Sequence, residues 1–294
     1  MKLLTYRYNG DEAVGVFDTS GEKIIPIATL GLTYPTMNEL IQHATAAELR
    51  TLKEAAAKPS PDGIPYDAVT KVAPIPEPRQ DVICMGFNYL DHVGESAKFK
   101  GLAPPTVPEY PVYFSKRVNC AVADGAPICG HLDLDPQLDY EVELAVIIGK
   151  DVKNVLPERA TEYIFGYTIL NDVSARTLQT RHGQFYFGKG LDDFTPMGPW
   201  IVTADEFPDP PQMALRSYVN DELRQDSHTK QMLFPIPRVI AELSAGMTLK
   251  AGTIIATGTP AGVGMGFDPP RFLKAGDTVT CEVEGIGRLT NTVG

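Results

Sequence analysis

Paired cysteines, long apolar runs and blocks of basic charge are all missing from this sequence. Its four cysteines lie far apart with no C-x-x-C pair, which favours a reduced cytoplasmic protein with buried thiols. No apolar run approaches the roughly 20 residues that a membrane span needs. The opening residues alternate like a strand and lack the apolar core of a signal peptide. We therefore expect a cytoplasmic protein without a membrane partner.

Basic residues are outnumbered, because 26 Lys and Arg stand against 37 Asp and Glu and give a formal net charge of -11. An acidic chain without a Lys/Arg-rich block is a poor candidate for binding nucleic acid or an anionic membrane. Hydrophobic residues make up 43% of the 294 residues. The chain can therefore bury a core, either as one large domain or as a main domain with a smaller companion.

Three common functional patterns are also absent. No G-x-S-x-G motif supports serine-hydrolase chemistry. The glycine-rich run 258–266 lacks the Lys-Ser/Thr of a P-loop, and we interpret it as a tight loop that brings backbone close to a ligand. Residues 131–136 are acidic but do not follow the EF-hand pattern, so a surface turn is expected there.

Glycine (26) and proline (25) divide the chain into short segments, which favours strands and turns over long helices. We predict a small N-terminal α/β domain over residues 1–72, with strands at 3–8 and 13–18 and one helical stretch at 37–58. Alternating prolines from Pro74 to Pro78 form an extended connector. A second domain is predicted over residues 73–294.

The second domain is predicted to be mainly β with few helices, an α+β fold with a rolled or sandwiched sheet. Its predicted strands are 81–85, 112–114, 140–148, 164–170, 200–203, 215–219, 253–257 and 278–283, and its one clear helix is 238–244. Residues 88–111 show no period. A loop of that length is usually functional or mobile, and we interpret it as a lid.

Two glutamates in an otherwise apolar segment are the main chemical signal. In a strand, Glu141 and Glu143 face the same side with Cα atoms about 6–7 Å apart. Two buried carboxylates repel each other unless a cation compensates, and oxygen ligands suit Mg²⁺, Mn²⁺ or Ca²⁺. Asp172 ends a second apolar segment that could lie alongside. A solvated strand face with an ordinary Asn-Asp turn is the alternative, and it stays open at this point.

Six ordered motifs resemble those of the fumarylacetoacetate hydrolase family, from residue 81 to the C-terminus. They are Gly86-Phe-Asn-Tyr-Leu-Asp-His92-Val-Gly-Glu95, Asp139-Tyr-Glu-Val-Glu143, Asn171-Asp-Val-Ser-Ala-Arg176, Gly188-Lys-Gly-Leu-Asp192 with Pro196-Met-Gly-Pro199, Val219-Asn-Asp-Glu-Leu-Arg-Gln225, and Ile255-Ala-Thr-Gly-Thr-Pro-Ala-Gly-Val-Gly264. Each motif alone is weak, but six in the family's order are specific.

The resemblance implies a mixed β-roll domain that binds Mg²⁺, or else Mn²⁺ or Ca²⁺. The implied metal ligands are Glu141, Glu143 and Asp172. The resemblance also implies a homodimer and a 2-oxo acid as the small-molecule substrate. The first 70 residues match only in general character, as the small N-terminal unit that many bacterial members carry.

The resemblance further implies that His92 and Glu95 form a catalytic pair on a mobile lid, and that Lys189 is a catalytic lysine beside the ion. The i, i+3 spacing of His92 and Glu95 places both on one face of a helical turn. The substrate-binding candidates are Arg176, Gln179 and Thr259. The alternative to substrate binding by Arg176 is that it holds a carboxylate or a neighbouring carbonyl of the protein. The position of Lys116 fits a role at the site and, equally well, a place at a strand edge.

Two departures from the family pattern are informative. Animal members place a further aspartate on the metal just before the histidine motif, where this sequence has Cys84-Met85-Gly86. That difference points to the smaller acylpyruvase-like, decarboxylase-like or hydroxymuconate isomerase-like branch. Asp193 adds a carboxylate after the lysine motif, and no role is assigned to it.

The function expected from these residues is metal-dependent hydrolysis of a C–C bond in an acylpyruvate-like or fumarylpyruvate-like dioxo acid, in the breakdown of aromatic compounds. The same machinery would serve oxaloacetate-type decarboxylation or hydroxymuconate-type isomerisation. A metal-binding homologue that has lost catalysis is the alternative from another class. An intact His92, Glu95 and Lys189 argue against it.

Overall fold

The computed structural model describes residues 1–99, 101 and 108–294. Strands are Lys2–Tyr8 (β1), Asp11–Phe17 (β2), Lys23–Pro26 (β3), Ile64–Pro65 (β4), Thr70–Lys71 (β5), Val82–Gly86 (β6), Val112–Lys116 (β7), Pro127–Ile128 (β8), Leu138–Asp139 (β9), Val142–Ile148 (β10), Ile164–Asn171 (β11), Ser174–Ala175 (β12), Met197–Thr203 (β13), Ala214–Val219 (β14), Glu222–His228 (β15), Ile254–Ala256 (β16), Thr278–Val283 (β17) and Gly287–Val293 (β18).

The α-helices within those residues are Met37–His43 (α1), Ala46–Ala56 (α2), Leu90–Phe99 (α3), Arg176–Arg181 (α4), Tyr186–Lys189 (α5) and Ile236–Gly246 (α6). Short 3₁₀ helices cover Ile27–Leu30, Tyr66–Ala68, Pro157–Tyr163, Ala204–Glu206, Thr229–Gln231 and Gly264–Gly266. The prediction of a mainly β, α+β fold is confirmed. No helix in the described part of the chain is both long and apolar enough to cross a bilayer.

A large mixed sheet carries the fold, in the order β4-β3-β2-β1-β13-β11-β10-β16-β6-β7, with β5 beside β1. Most neighbours are antiparallel, whereas β16 and β6 are parallel. A second sheet has the order β15-β14-β17-β18-β8, and β12 pairs with β9 alone. The strand β10 lies inside the large sheet between β11 and β16, where it is buried throughout.

The two faces of β10 enter two different cores. Leu144 and Val146 pack in a cluster that includes the second sheet, whereas Ala145 and Ile147 pack in a cluster that includes the N-terminal strands and helices. Glu143 belongs to this second face, because side chains alternate along a strand. This second face of β10 is therefore apolar at Ala145 and Ile147 and carries a carboxylate near the start of the strand, at Glu143.

The N-terminal residues join the large sheet directly. β1 pairs antiparallel with β13, so the sheet is continuous across the domain boundary predicted at residue 72, and that boundary stays a prediction. The single helical stretch predicted at 37–58 is two helices. Thr45 separates them and caps α2, where it exchanges hydrogen bonds with Glu48 in a capping box.

The prediction of a loop at 88–111 is wrong for the first part of that segment, because residues 90–99 form α3. The buried face of α3 comprises His92, Val93, Ser96 and Ala97, at helical spacing, but two polar side chains and a glycine mask that spacing in the sequence. Residue 100 and residues 102–107 of the predicted lid lie outside the described residues.

Candidate metal and active site

Three carboxylates meet where β10 begins and β11 ends. Glu141 directly precedes β10, Glu143 is its second residue, and Asp172 follows β11. The antiparallel register pairs Val142 with Asn171, and the Asp172 N–H donates to the Glu141 carbonyl at 2.9 Å. One oxygen from each carboxylate lies within 4.8 Å of the others. We call Glu141, Glu143 and Asp172 the acidic triad.

Buried cations surround the acidic triad. The Lys189 ammonium donates to Glu141 Oε2 at 2.7 Å and to Asp172 Oδ2 at 2.8 Å. Lys116 donates to the other oxygen of Asp172 at 2.5 Å. Arg176 contacts Glu141 Oε1 at 2.7 Å. Burial raises the pKa of Glu141, but Lys189 and Arg176 outweigh it and hold that pKa well below its usual range.

Glu143 has no such cation in direct contact among the described residues. Its Oε2 accepts from the Gly258 N–H at 2.8 Å, while its Oε1 is buried and has no hydrogen-bond partner in the part of the chain that the structure describes. Burial, together with the charges of Asp172 and Glu141, raises the pKa of Glu143 well above its usual range. An orphaned oxygen beside two further carboxylates fits a hard divalent ion such as Mg²⁺, Mn²⁺ or Ca²⁺.

The predicted His–Glu pair lies on α3. His92 Nδ1 lies 3.5 Å from Glu95 Oε2, the separation of an ion pair, and neither atom has a hydrogen-bond partner in the described residues. Glu95 Oε1 accepts from the Gly262 N–H at 2.8 Å. A side chain on Gly266 would begin 2.4 Å from the Glu95 carboxyl group. The glycine run therefore approaches the Glu95 carboxylate closely, and its approach to a ligand stays a prediction.

One pocket unites most of the predicted site. Its polar lining includes His92, Glu141, Arg176, Gln179, Lys189 and Thr259. Its apolar lining includes Met85, Phe87, Phe99, Phe114, Phe185 and Met265. Glu95, Glu143 and Asp172 are not among its lining residues. The pocket thus has a charged end beside the acidic triad and an aromatic wall.

Arg176 takes its alternative role, that of holding carboxylates. Its guanidinium donates to Asp139 at 2.9 Å and also pairs with Glu141. It also donates to Gln179 Oε1 at 3.1 Å, while its Nη2 is buried and has no hydrogen-bond partner within residues 1–99, 101 and 108–294. Thr259 accepts from Gln225 at 2.7 Å and donates to the Val142 carbonyl at 3.0 Å. Substrate contact by these residues stays a prediction.

Two participants are not assigned by the sequence. Lys116 is fully buried and its ammonium contacts Asp172, so it reaches the site from the end of β7, which is the edge strand of the large sheet. Asp139 accepts from the Gly264 and Met265 N–H groups and so ties the glycine run to Arg176. The sequence offers one signal for each of these two residues. Lys116 ends an apolar strand, and Asp139 belongs to the Asp139–Glu143 motif.

Asp193 and the cysteines lie apart from this chemistry. Asp193 is a turn residue with φ 64° whose carboxylate accepts from the Cys129 N–H at 3.3 Å. The expectation of buried thiols is right for Cys84 and Cys281 and wrong for Cys120 and Cys129, which are exposed in loops. Burial raises the pKa of Cys84, as do Asp172 and Glu143, so this thiol stays protonated.

Residues 81–294 match the sequence profile described as fumarylacetoacetate (FAA) hydrolase C-terminal. The chain belongs to the fumarylacetoacetate hydrolase family. It is 44% identical to the oxaloacetate tautomerase YisK of Bacillus subtilis over 252 residues, covering 84% of this chain and 82% of that protein. Membership of this family indicates an enzyme and supports metal-dependent chemistry.

Two solved structures extend the comparison over the whole chain. A fumarylacetoacetate hydrolase from Exiguobacterium antarcticum has 39% identity and a TM-score of 0.84, covering 100% of this chain and 99% of that chain. A maleylpyruvate hydrolase from Sphingobium sp. SYK-6, in complex with manganese(II) and pyruvate, has 30% identity and a TM-score of 0.76, covering 100% and 98%. The first 80 residues therefore also have structural counterparts in this family.

Proposed function

We propose that this protein is a divalent-metal-dependent enzyme that interconverts the keto and enol forms of an oxaloacetate-type 2-oxo acid. The observation that carries the proposal is Glu143 Oε1, which is buried without a hydrogen-bond partner in the described residues and belongs to an acidic triad whose member Glu141 lines one pocket with His92. The similarity to an oxaloacetate tautomerase supports this choice of reaction. Mg²⁺ and Mn²⁺ are the ions proposed, since both prefer oxygen ligands.

The acidic triad would bind the ion, and Glu143 is the member whose charge the ion would stabilise most. A bound divalent ion would act as a Lewis acid on the carboxylate and 2-oxo oxygens of the substrate and stabilise its enolate. Lys189 lines the same pocket and adds a fixed positive charge beside those oxygens. In a buried site such a charge is worth more than in water.

His92 is proposed as the base. Because its Nδ1 faces Glu95, the other ring nitrogen is the one left for proton transfer, and Glu95 stabilises the imidazolium that forms. His92 would take a proton from C3 of the 2-oxo acid. A proton then returns to the 2-oxygen to give the enol, so no atom leaves and no water is consumed.

Hydrolytic C–C cleavage of an acylpyruvate-type acid is the second candidate. The aromatic wall of the pocket favours it, because Phe87, Phe99, Phe114 and Phe185 suit a substrate with a less polar distal end than oxaloacetate. In that reaction His92 would take a proton from water, and the hydroxide would attack the distal carbonyl. The enolate of a pyruvate unit would leave. The two reactions share the charged end of the pocket and differ in the use of water.

Purified protein, stripped with EDTA and reloaded with Mn²⁺ or Mg²⁺, tests both candidates. The keto–enol conversion of oxaloacetate is followed by its enol absorbance, and pyruvate release is followed with acetylpyruvate, fumarylpyruvate and maleylpyruvate. We expect metal-dependent tautomerisation that falls by about 10²-fold or more in His92→Ala. An exposed-histidine control, His43→Ala, should keep the wild-type rate.

Each outcome decides a different part of the proposal. Pyruvate release faster than tautomerisation would favour the hydrolase. No turnover of any of these acids, together with a melting temperature that EDTA does not change, would rule out the metal enzyme. A Lys189→Ala variant with unchanged turnover would support the non-catalytic alternative. A homodimer and a cytoplasmic location also stay proposals, and sedimentation of the purified protein tests the first.

A further inference from the structure

Lys116 is a second buried lysine at the acidic triad, and the proposed mechanism does not use it. It ends β7 and is completely buried. Its ammonium donates to Asp172 Oδ1 at 2.5 Å and to the Val173 carbonyl at 3.1 Å. It does not line the pocket, whereas Lys189 does. Any effect of Lys116 on a ligand must therefore act through Asp172 or through its charge.

Two lysines hold Asp172 from opposite sides. Lys116 occupies one carboxylate oxygen and Lys189 the other. Lys189 also reaches Glu141, so it spans two members of the acidic triad. Within the acidic triad, and among the described residues, Lys116 contacts Asp172 alone.

The buried charges around the triad do not balance. The carboxylates of the cluster are Asp139, Glu141, Glu143 and Asp172, and its cations are Lys116, Arg176 and Lys189, each at most 4% exposed. With a divalent ion bound and all seven of these groups ionised, the site carries one net positive charge. Without Lys116, the ion would only neutralise the cluster.

We propose that Lys116 is a positioning residue that sets this charge, keeping the metal-loaded site positive so that it binds an anionic 2-oxo acid. The inference rests on the proposed function, because it needs the metal at the acidic triad. Like charges repel in a buried site more strongly than in water. Lys116 therefore weakens metal binding and strengthens anion binding. A lysine with only a structural role would change the affinity for the metal and the affinity for the anion in the same direction.

The test measures two affinities in Lys116→Met, which keeps an unbranched side chain as far as Cε and removes the charged ammonium group. Mn²⁺ binding to stripped protein and oxalate binding to Mn²⁺-loaded protein are measured by calorimetry, with oxalate as a planar chelating anion. We expect Mn²⁺ to bind about tenfold more tightly and oxalate about tenfold more weakly than in the wild type. Lys71→Met is the matched control, since Lys71 pairs with Asp124 outside the cluster, and it should change neither affinity.

The outcomes separate this inference from the proposed function. A wild type that binds no Mn²⁺ contradicts the proposed function itself. A wild type that binds Mn²⁺ and oxalate, with Lys116→Met unchanged or weaker for both ligands, overturns only the role of Lys116. If Lys116→Met is insoluble, Lys116→Gln is tested in the same way. Failure of both variants to fold even with Mn²⁺ also overturns the inference, because added positive charge should compensate for the lost lysine.

Discussion

Glu95 of α3 accepts a hydrogen bond at 2.8 Å from the backbone N–H of Gly262. Its carboxyl group lies where a side chain on Gly266 would begin, at 2.4 Å. The helix that carries His92 is therefore fixed against the glycine run 258–266, whose first N–H donates to Glu143. One short segment contacts both the proposed metal ligand and the proposed proton-transfer pair, so small changes in it should affect catalysis selectively.

Gly266→Ala should lower turnover without weakening metal binding. The added methyl group would displace the Glu95 carboxyl group and with it the orientation of His92, and a misplacement of about 1 Å can cost about 10²-fold in rate. Mn²⁺ affinity, measured by calorimetry, should stay near the wild-type value. Gly246→Ala, at the open end of α6, is the control and should keep full activity. Equal turnover in both variants would contradict the role assigned to Glu95.

Glu143→Gln should abolish Mn²⁺ binding while leaving the metal-free protein at least as stable as the wild type. The amide keeps the acceptor for the Gly258 N–H and removes the charge that Asp172 and Glu141 oppose. At 100 times its dissociation constant, Mn²⁺ should stabilise the wild type by about 2.7 kcal/mol. Thermal unfolding with and without Mn²⁺ measures both effects. A Mn²⁺-dependent rise of melting temperature in the variant would exclude Glu143 as a ligand.

Asn88→Ala should destabilise the protein by about 3 kcal/mol, because it leaves buried backbone groups without partners. The amide of Asn88 donates to the Thr257 carbonyl at 2.7 Å and accepts from the Phe234 N–H at 2.8 Å. It thus joins the start of α3 to β16 and α6. Urea unfolding gives the free energy, and Asn119→Ala, which removes an exposed amide, should change it by less than about 0.5 kcal/mol.

Arg176→Lys should cost about 3 kcal/mol of unfolding free energy, although it keeps the charge. A lysine ammonium cannot bridge Asp139 and Glu141 as the planar guanidinium does. The matched control is Arg159→Lys, which changes an exposed pair with Glu162 and should cost less than about 0.5 kcal/mol. Similar losses of unfolding free energy in the two variants would mean that burial adds no stability to the ion pairs of Arg176.

The sequence is most informative where local patterns decide the structure. Strand periodicity locates β10, β11, β14 and β17 to within about two residues, because apolar alternation reports the faces of a strand directly. The same patterns fail for α3, whose buried face carries His92 and Ser96 instead of apolar residues. They also miss the break between α1 and α2, because Ala44 and Thr45 are compatible with a continuous helix unless the capping contact is known.

The members of the acidic triad were all predicted from the sequence, because two glutamates in an apolar strand indicate a cation site and the resemblance carried by the ordered motifs adds Asp172. Its surroundings are decided only by the tertiary structure. The contacts of Lys116 with Asp172, of Glu95 with Gly262 and of Arg176 with Asp139 join residues 56, 167 and 37 positions apart. The amino-acid order determines which chemical groups are available and which faces they share. The pairing of distant charges depends on how sheets and loops pack, because each buried charge must find its partner in three dimensions.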